Sequence, residues 1–241
     1  MHFTVLVIGD NVEEKLEPYY ELQCTMNQYD MKNDSRAEFI EEYTTEELKK
    51  DFIKIKNEHP EYYYKNLEEF ADDYHGIHQL NNSWGRYTNP KSEWDWYQVG
   101  GRWSGIFKVK DNPKYPDDIY TGQPGLMSEK AKNGYVDSIR FCDIDFNGMK
   151  IDKEIDLNNN WIKIEEGIKN DDNSIYWKYN IQKGETKEQY IKNNIMFRTY
   201  AVLKDDVWYD SDKFDNYNEI FNDTLKSLPE DTLLTIVDCH V

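Results

Sequence analysis

Two apolar runs bracket the chain and limit its folding more than any other feature. His2-Phe3-Thr4-Val5-Leu6-Val7-Ile8 opens it, and Leu233-Leu234-Thr235-Ile236-Val237-Asp238-Cys239-His240-Val241 closes it. Both are rich in β-branched and apolar residues with little polar alternation, the pattern of strands buried on both faces. Gly9-Asp10 stops the first run. Each run carries a histidine at its outer tip. If the two strands pair antiparallel, His2 faces His240 at one end of a sheet. Side chains alternate across a strand, so Asp238 and His240 share one face, Cys239 takes the other, and His2 lies with Thr4.

The stretch between them supplies the remaining elements. Residues 35–75 read as helical and acidic, with Ser35-x-x-Glu38 and Thr44-x-x-Glu47 both fitting a capping box. Leu48, Phe52 and Ile55 recur at helical spacing. Pro60 restarts a helix with Tyr63, Leu67 and Phe70 inward and Gly76 as its stop. Residues 76–98 read as a loop. The second half of Trp94 to Val109 alternates as a strand, with Gly100-Gly101 as a bulge or a point of close backbone approach. Residues 136–195 are polar and mixed, an insertion. Phe197 to Tyr209 reads as a hairpin turning at Asp205-Asp206. Phe214 to Leu228 forms an amphipathic helix ended by Pro229. The order is β-α-β-β-α-β with long embellishments. This predicts one α+β domain over residues 1–241, on the ferredoxin-like plan, with a polar insertion at 136–195. In that plan the first and last strands are antiparallel neighbours.

Composition excludes several functions. The net charge of -18 repels DNA, RNA and anionic membranes. A small anionic ligand remains admissible, because a local arginine acts at shorter range than the global field. The cysteines, Cys24, Cys142 and Cys239, form no C-x-x-C pair, so neither a zinc knuckle nor a disulfide framework is expected. No run is long enough to span a membrane and no signal peptide is legible, which points to the cytoplasm. No metal or other cofactor is implied. Asp72-Asp73 near His75 and His78 resembles a metal site only loosely, and Gly100-Gly101-Arg102 lacks the Lys and Ser/Thr of a phosphate-binding loop.

Two constellations carry chemistry. His2 and His240 would be an acid/base pair, one imidazole taking a proton from an attacking hydroxyl while the other gives one to a leaving oxygen. Asp238 would orient His240. The plain alternative is a pair of exposed histidines at frayed ends. The second constellation is Trp94 to Gly105. Trp96 and Trp103 could stack a base, Arg102 could fork onto a phosphate beside Thr4, and the glycines could admit a ligand to backbone amides. The alternative is a hydrophobic corner with the tryptophans in the core. Cys239 cannot form a dyad with its neighbour His240 and reads as an inert buried thiol.

The chain resembles a protein family found in phage and prophage genomes. The resemblance rests on His2 to Ile8, on Trp94-Asp95-Trp96-Tyr97-x-x-Gly100-Gly101-Arg102-Trp103-x-Gly105, on Thr199-Tyr200-Ala201-Val202-Leu203-Lys204-Asp205-x-x-Trp208-Tyr209, and on Asp238-Cys239-His240 followed by an aliphatic residue. The segment Ala131-Lys132-Asn133-Gly134, with Asp145 beyond it, is also similar. The bias toward Asn, Lys, Ile, Asp and Tyr fits such a source. The resemblance implies a phage accessory protein in a bacterial host cell, and by analogy of context one that counters host defence. His2-x-Thr4 also resembles half of the repeated His-x-Thr/Ser of two-histidine phosphodiesterases. Only Val241 follows His240, so the second hydroxyl of that pattern is absent. The expectation is a metal-independent phosphodiesterase cleaving a small cyclic nucleotide immune signal. The alternatives are a non-catalytic protein that sequesters such a signal, and an acidic protein–protein inhibitor of a host factor.

Overall fold

A computed structural model describes residues 1–22, 28–126 and 128–241, leaving aside the side chain of Tyr29. Cys24 lies outside the described residues. The strands are β1 (His2–Ile8), β2 (Glu38–Thr44), β3 (His78–Leu80), β4 (Ser83–Thr88), β5 (Trp96–Gly101), β6 (Phe107–Lys108), β7 (Gln123–Pro124), β8 (Tyr135–Val136), β9 (Ser138–Arg140), β10 (Ala201–Lys204), β11 (Val207–Asp210) and β12 (Leu233–His240). The helices are α1 (Val12–Leu16), α2 (Gln28–Met31), α3 (Thr45–Glu58), α4 (Leu67–Phe70), α5 (Phe146–Lys169), α6 (Ser174–Lys178), α7 (Lys187–Asn194) and α8 (Tyr217–Ser227). The chain forms two compact units, one of Met1–Lys15 with Tyr97–His240, the other of Leu16–Trp96. Among the described residues no helix is long and apolar enough to cross a membrane.

The first unit is α+β, built on a mixed sheet in the order β11-β10-β1-β12-β5-β7, with β9 also on β12. The two terminal runs are its centre. They pair antiparallel from His2↔His240 to Ile8↔Leu234. Val5, Leu6, Val7, Leu234, Ile236 and Val237 are fully buried, as uninterrupted apolar strands require. The ferredoxin-like connection is not confirmed. The other neighbour of β1 is β10, which runs parallel to it, whereas that plan has antiparallel neighbours throughout. β10 and β11 form the expected hairpin, with Asp205 and Asp206 both left-handed at φ 49° and 58°. Two such residues match the twist of the strands, and aspartate tolerates that backbone better than most.

One face of this sheet makes the main core. Leu6, Ile8, Val202, Leu234 and Ile236 meet Phe107, Ile139 and Ile144, and α8 contributes Tyr217 and Phe221. Residues 136–144, assigned to the polar insertion by composition, therefore belong to the core. Strands as short as β8 and β9 carry too few residues for a periodic signal. The remainder of that stretch builds its own cluster. Leu157, Trp161 and Ile164 of α5 pack against Ile175, Ile181 and Tyr190. A Thr186–Gln189 capping box starts α7.

Burial at the start of α8 sets one pH response. Tyr217 is buried, its hydroxyl lies 3.2 Å from that of Thr199, and desolvation pushes its pKa up to about 12 from 10.0. The neutral form is favoured in the fold, so its contribution is complete below pH 10. It falls as pH rises toward 12, by roughly 2 kcal/mol in all. Urea midpoints of wild type and Tyr217→Phe should run in parallel up to pH 10. Above it the wild type should fall faster.

The second unit corrects the helical reading of residues 35–44. Of these, Glu38–Thr44 form β2, paired with β4, with Phe39 and Tyr87 rings 5.3 Å apart. The register shifts between Glu41 and Tyr43, and Gly85 sits so close to Ile40 O that a Cβ would lie 1.9 Å from it. The Thr44–Glu47 capping box is formed as expected and starts α3. No helix restarts at Pro60. Asn66 caps α4 instead, and a wider turn over Ala71–His75 ends on left-handed Gly76. The stretch read as a loop contains the β3–β4 hairpin, with Asn81 left-handed in its turn.

Candidate acid-base site at the sheet end

The register of β1 on β12 places His2 opposite His240 and Thr4 opposite Asp238. By strand parity all four lie on the face that carries the main core. The imidazole centroids are 4.9 Å apart with an interplanar angle of 69°. The nitrogens have distinct surroundings. His2 Nδ1 is 2.9 Å from Asp238 Oδ1, while His240 Nε2 is 3.2 Å from the Met1 amino nitrogen. Asp238 is 1% exposed, and its second oxygen accepts the Arg102 backbone N–H at 2.9 Å. With His2 Nδ1 donating to this carboxylate, the neutral imidazole is the tautomer whose Nε2 carries the lone pair. Asp238 thus orients His2 and not, as expected, His240. Along one strand their side chains stand about 7 Å apart, whereas sheet twist brings a diagonal neighbour on the adjacent strand closer.

The turn after β5 is shaped by two buried carboxylates. Gly100 and Gly101 are left-handed at φ 77° and 54°. A Cβ on Gly100 would lie 2.4 Å from Asp137 Oδ2, and one on Gly101 would lie 2.3 Å from Asp238 Cβ. Asp137 is fully buried. It accepts the Gly105 N–H on one oxygen, and the Ser104 hydroxyl at 2.9 Å and the Gly122 N–H at 2.8 Å on the other. Donors on each carboxylate offset the cost of burying charge. The glycines that were expected to admit a ligand to the backbone instead make room for Asp137 and Asp238. Asp137 was missed from sequence. Its signal was an acid set between Val136 and Ile139, in a stretch too short to read as a strand.

The other expected residues divide. Trp103 is partly buried and packs against the main core. Trp96 is 47% exposed and belongs to the second unit. Thr4 Oγ1 accepts the Tyr200 N–H at 3.2 Å, which leaves the hydroxyl proton to donate. Cys239 is fully buried, and burial pushes its thiol pKa well up, so it is a poor nucleophile. In the second unit His75 Nε2 meets Asp51 at 2.9 Å and His78 Nδ1 lies 3.6 Å from Asp72. Among the described residues no group of three His, Cys, Asp or Glu side chains could hold a metal ion.

The arginines show where positive charge is left over. Arg36 pairs with Asp34, Arg86 with Glu42, and Arg140 with Asp118 and Asp10. Arg102 and Arg198 are exposed, and among the described residues neither guanidinium has a carboxylate partner. In a chain of net charge -18 that is a notable omission. No family model, curated protein or solved structure matches this chain.

Proposed function

We propose that this chain is a metal-independent phosphodiesterase that opens a small cyclic nucleotide, serving a phage against a nucleotide immune signal of its bacterial host. The observation that carries the reading is the His2↔His240 pairing with Asp238 bonded to His2 Nδ1. His2 Nε2 takes the proton of the attacking hydroxyl as its oxygen bonds to phosphorus. His240, protonated at Nε2 once the Met1 amino group has turned away from that nitrogen, gives its proton to the leaving oxygen as the ester P–O bond breaks. Thr4 and the Arg102 guanidinium hold the non-bridging oxygens. The reaction needs no oxidant and no metal, and one imidazole ends protonated where the other began so.

The test is turnover of cyclic dinucleotides in the presence of a chelator. Product should form, and His2→Ala and His240→Ala should each lower the single-turnover rate about 10²- to 10⁴-fold. Equal rates in wild type and both variants would sink the proposal. Tight binding with intact ligand recovered on denaturation would point to sequestration instead. Neither binding nor turnover, with a captured host protein, would point to an acidic inhibitor.

A further inference from the structure

Beside the paired histidines, on the other flank of β1, the first unit has a polar pocket of which the reaction above uses only Thr4. Its volume is about 350 Å³, at the small end of ligand pockets. Thr4, Arg198, Ser211, Phe214, Asp215 and Asn218 are among its lining residues. Phe214 also packs on the main core, so the apolar part of the wall is anchored. A second cleft, of about 290 Å³, shares Arg198.

The charges in the pocket are arranged for an asymmetric ligand. The polar contact of Arg198 is a long one, 3.5 Å to Asn218 Oδ1, and among the described residues no carboxylate pairs with it. Asp215 lies in the same lining and disfavours a second anionic group there. A ligand with one phosphate and several hydroxyls satisfies both: the phosphate takes the guanidinium fork, and the hydroxyls donate to Asp215 and bond with Asn218. The volume suits one such unit.

We propose that this pocket binds a ribose phosphate group, as found in a nucleoside 5′-monophosphate. Thr4 joins it to the candidate catalytic face. Thr4 and His2 are two apart on one strand and about 7 Å from each other. A ribose phosphate seated against Thr4 therefore lies within a side chain's reach of His2. That this group is one half of the substrate rests on the phosphodiesterase reading, whereas the binding itself does not.

Calorimetric titration of the full chain with ribose 5-phosphate, ribose and inorganic phosphate tests the proposal. Ribose 5-phosphate should bind about tenfold or more tightly than either fragment. Arg198→Gln, an exposed change whose folding is checked by circular dichroism, should weaken it about tenfold. Lys49→Gln, an exposed change in the second unit, should leave it unchanged, and calorimetry reads binding even if no turnover is ever seen. No binding, equal binding of inorganic phosphate, or an unchanged affinity in Arg198→Gln would overturn the assignment.

Discussion

Asp238→Asn should lower turnover about 10³- to 10⁴-fold while leaving the protein folded. The Arg102 N–H, part-buried against β12, needs an acceptor, so the amide oxygen of asparagine turns to it. The amide nitrogen then faces His2 Nδ1, where a carboxylate oxygen now stands. A donor there forces Nδ1 to accept and moves the imidazole proton to Nε2. The lone pair that takes the substrate proton is lost, although no atom has moved far. Asp238→Ala should differ in kind. It leaves the part-buried Arg102 amide without that acceptor, and should cost about 1–3 kcal/mol of stability besides the activity. Single-turnover rates and urea midpoints of the two variants separate these effects. Wild-type turnover in Asp238→Asn would remove the aspartate from the mechanism.

Gly101→Ala should be strongly destabilising, at roughly 2–5 kcal/mol. A left-handed backbone costs a non-glycine residue about 1–2 kcal/mol. The added Cβ would also sit 2.3 Å from Asp238 Cβ and 2.5 Å from Asp238 Oδ2, a clash that buried neighbours cannot relax without moving β12. Overpacking of that kind costs about 1–3 kcal/mol more. Gly134→Ala is the control. It has a similar positive φ of 80°, but nothing lies within 4 Å of its Cβ position, so the backbone penalty alone should appear. Urea denaturation of the two variants measures the difference. Equal losses would mean that Asp238 does not fix the turn.

The sequence exposed the centre of the fold because that centre is locally written. A short β-branched run with no polar alternation, stopped by Gly9-Asp10 or entered after Pro229, reads as a buried strand, so β1 and β12 were legible, as was the separation of Cys239 from His240. Asp205-Asp206 announced its turn by residue type, and Thr44 with Glu47 announced a helix start by spacing. What escaped depends on partners distant in the chain. Phe39 and Ile40 are strand residues because β4 lies beside them, and their glutamates hid this behind a helical pattern. β8 and β9 are too short to show a period. Gly100 and Gly101 looked like a ligand's approach, since the aspartates that need the space lie 37 and 137 residues further on. Sheet twist gave Asp238 to His2, and no count of residues along one strand contains that information. The tryptophan motif was visible as a motif, but whether Trp103 packs inward is decided by the core beneath it.

The dependence of single-turnover rate on pH tests the paired-histidine mechanism most directly. A base at His2 and an acid at His240 give the wild type a bell-shaped profile. His2→Ala should lose the acidic limb and His240→Ala the alkaline limb, each at a much reduced rate. A wild-type bell that keeps both limbs in either variant would place the proton transfers on other groups and contradict the account.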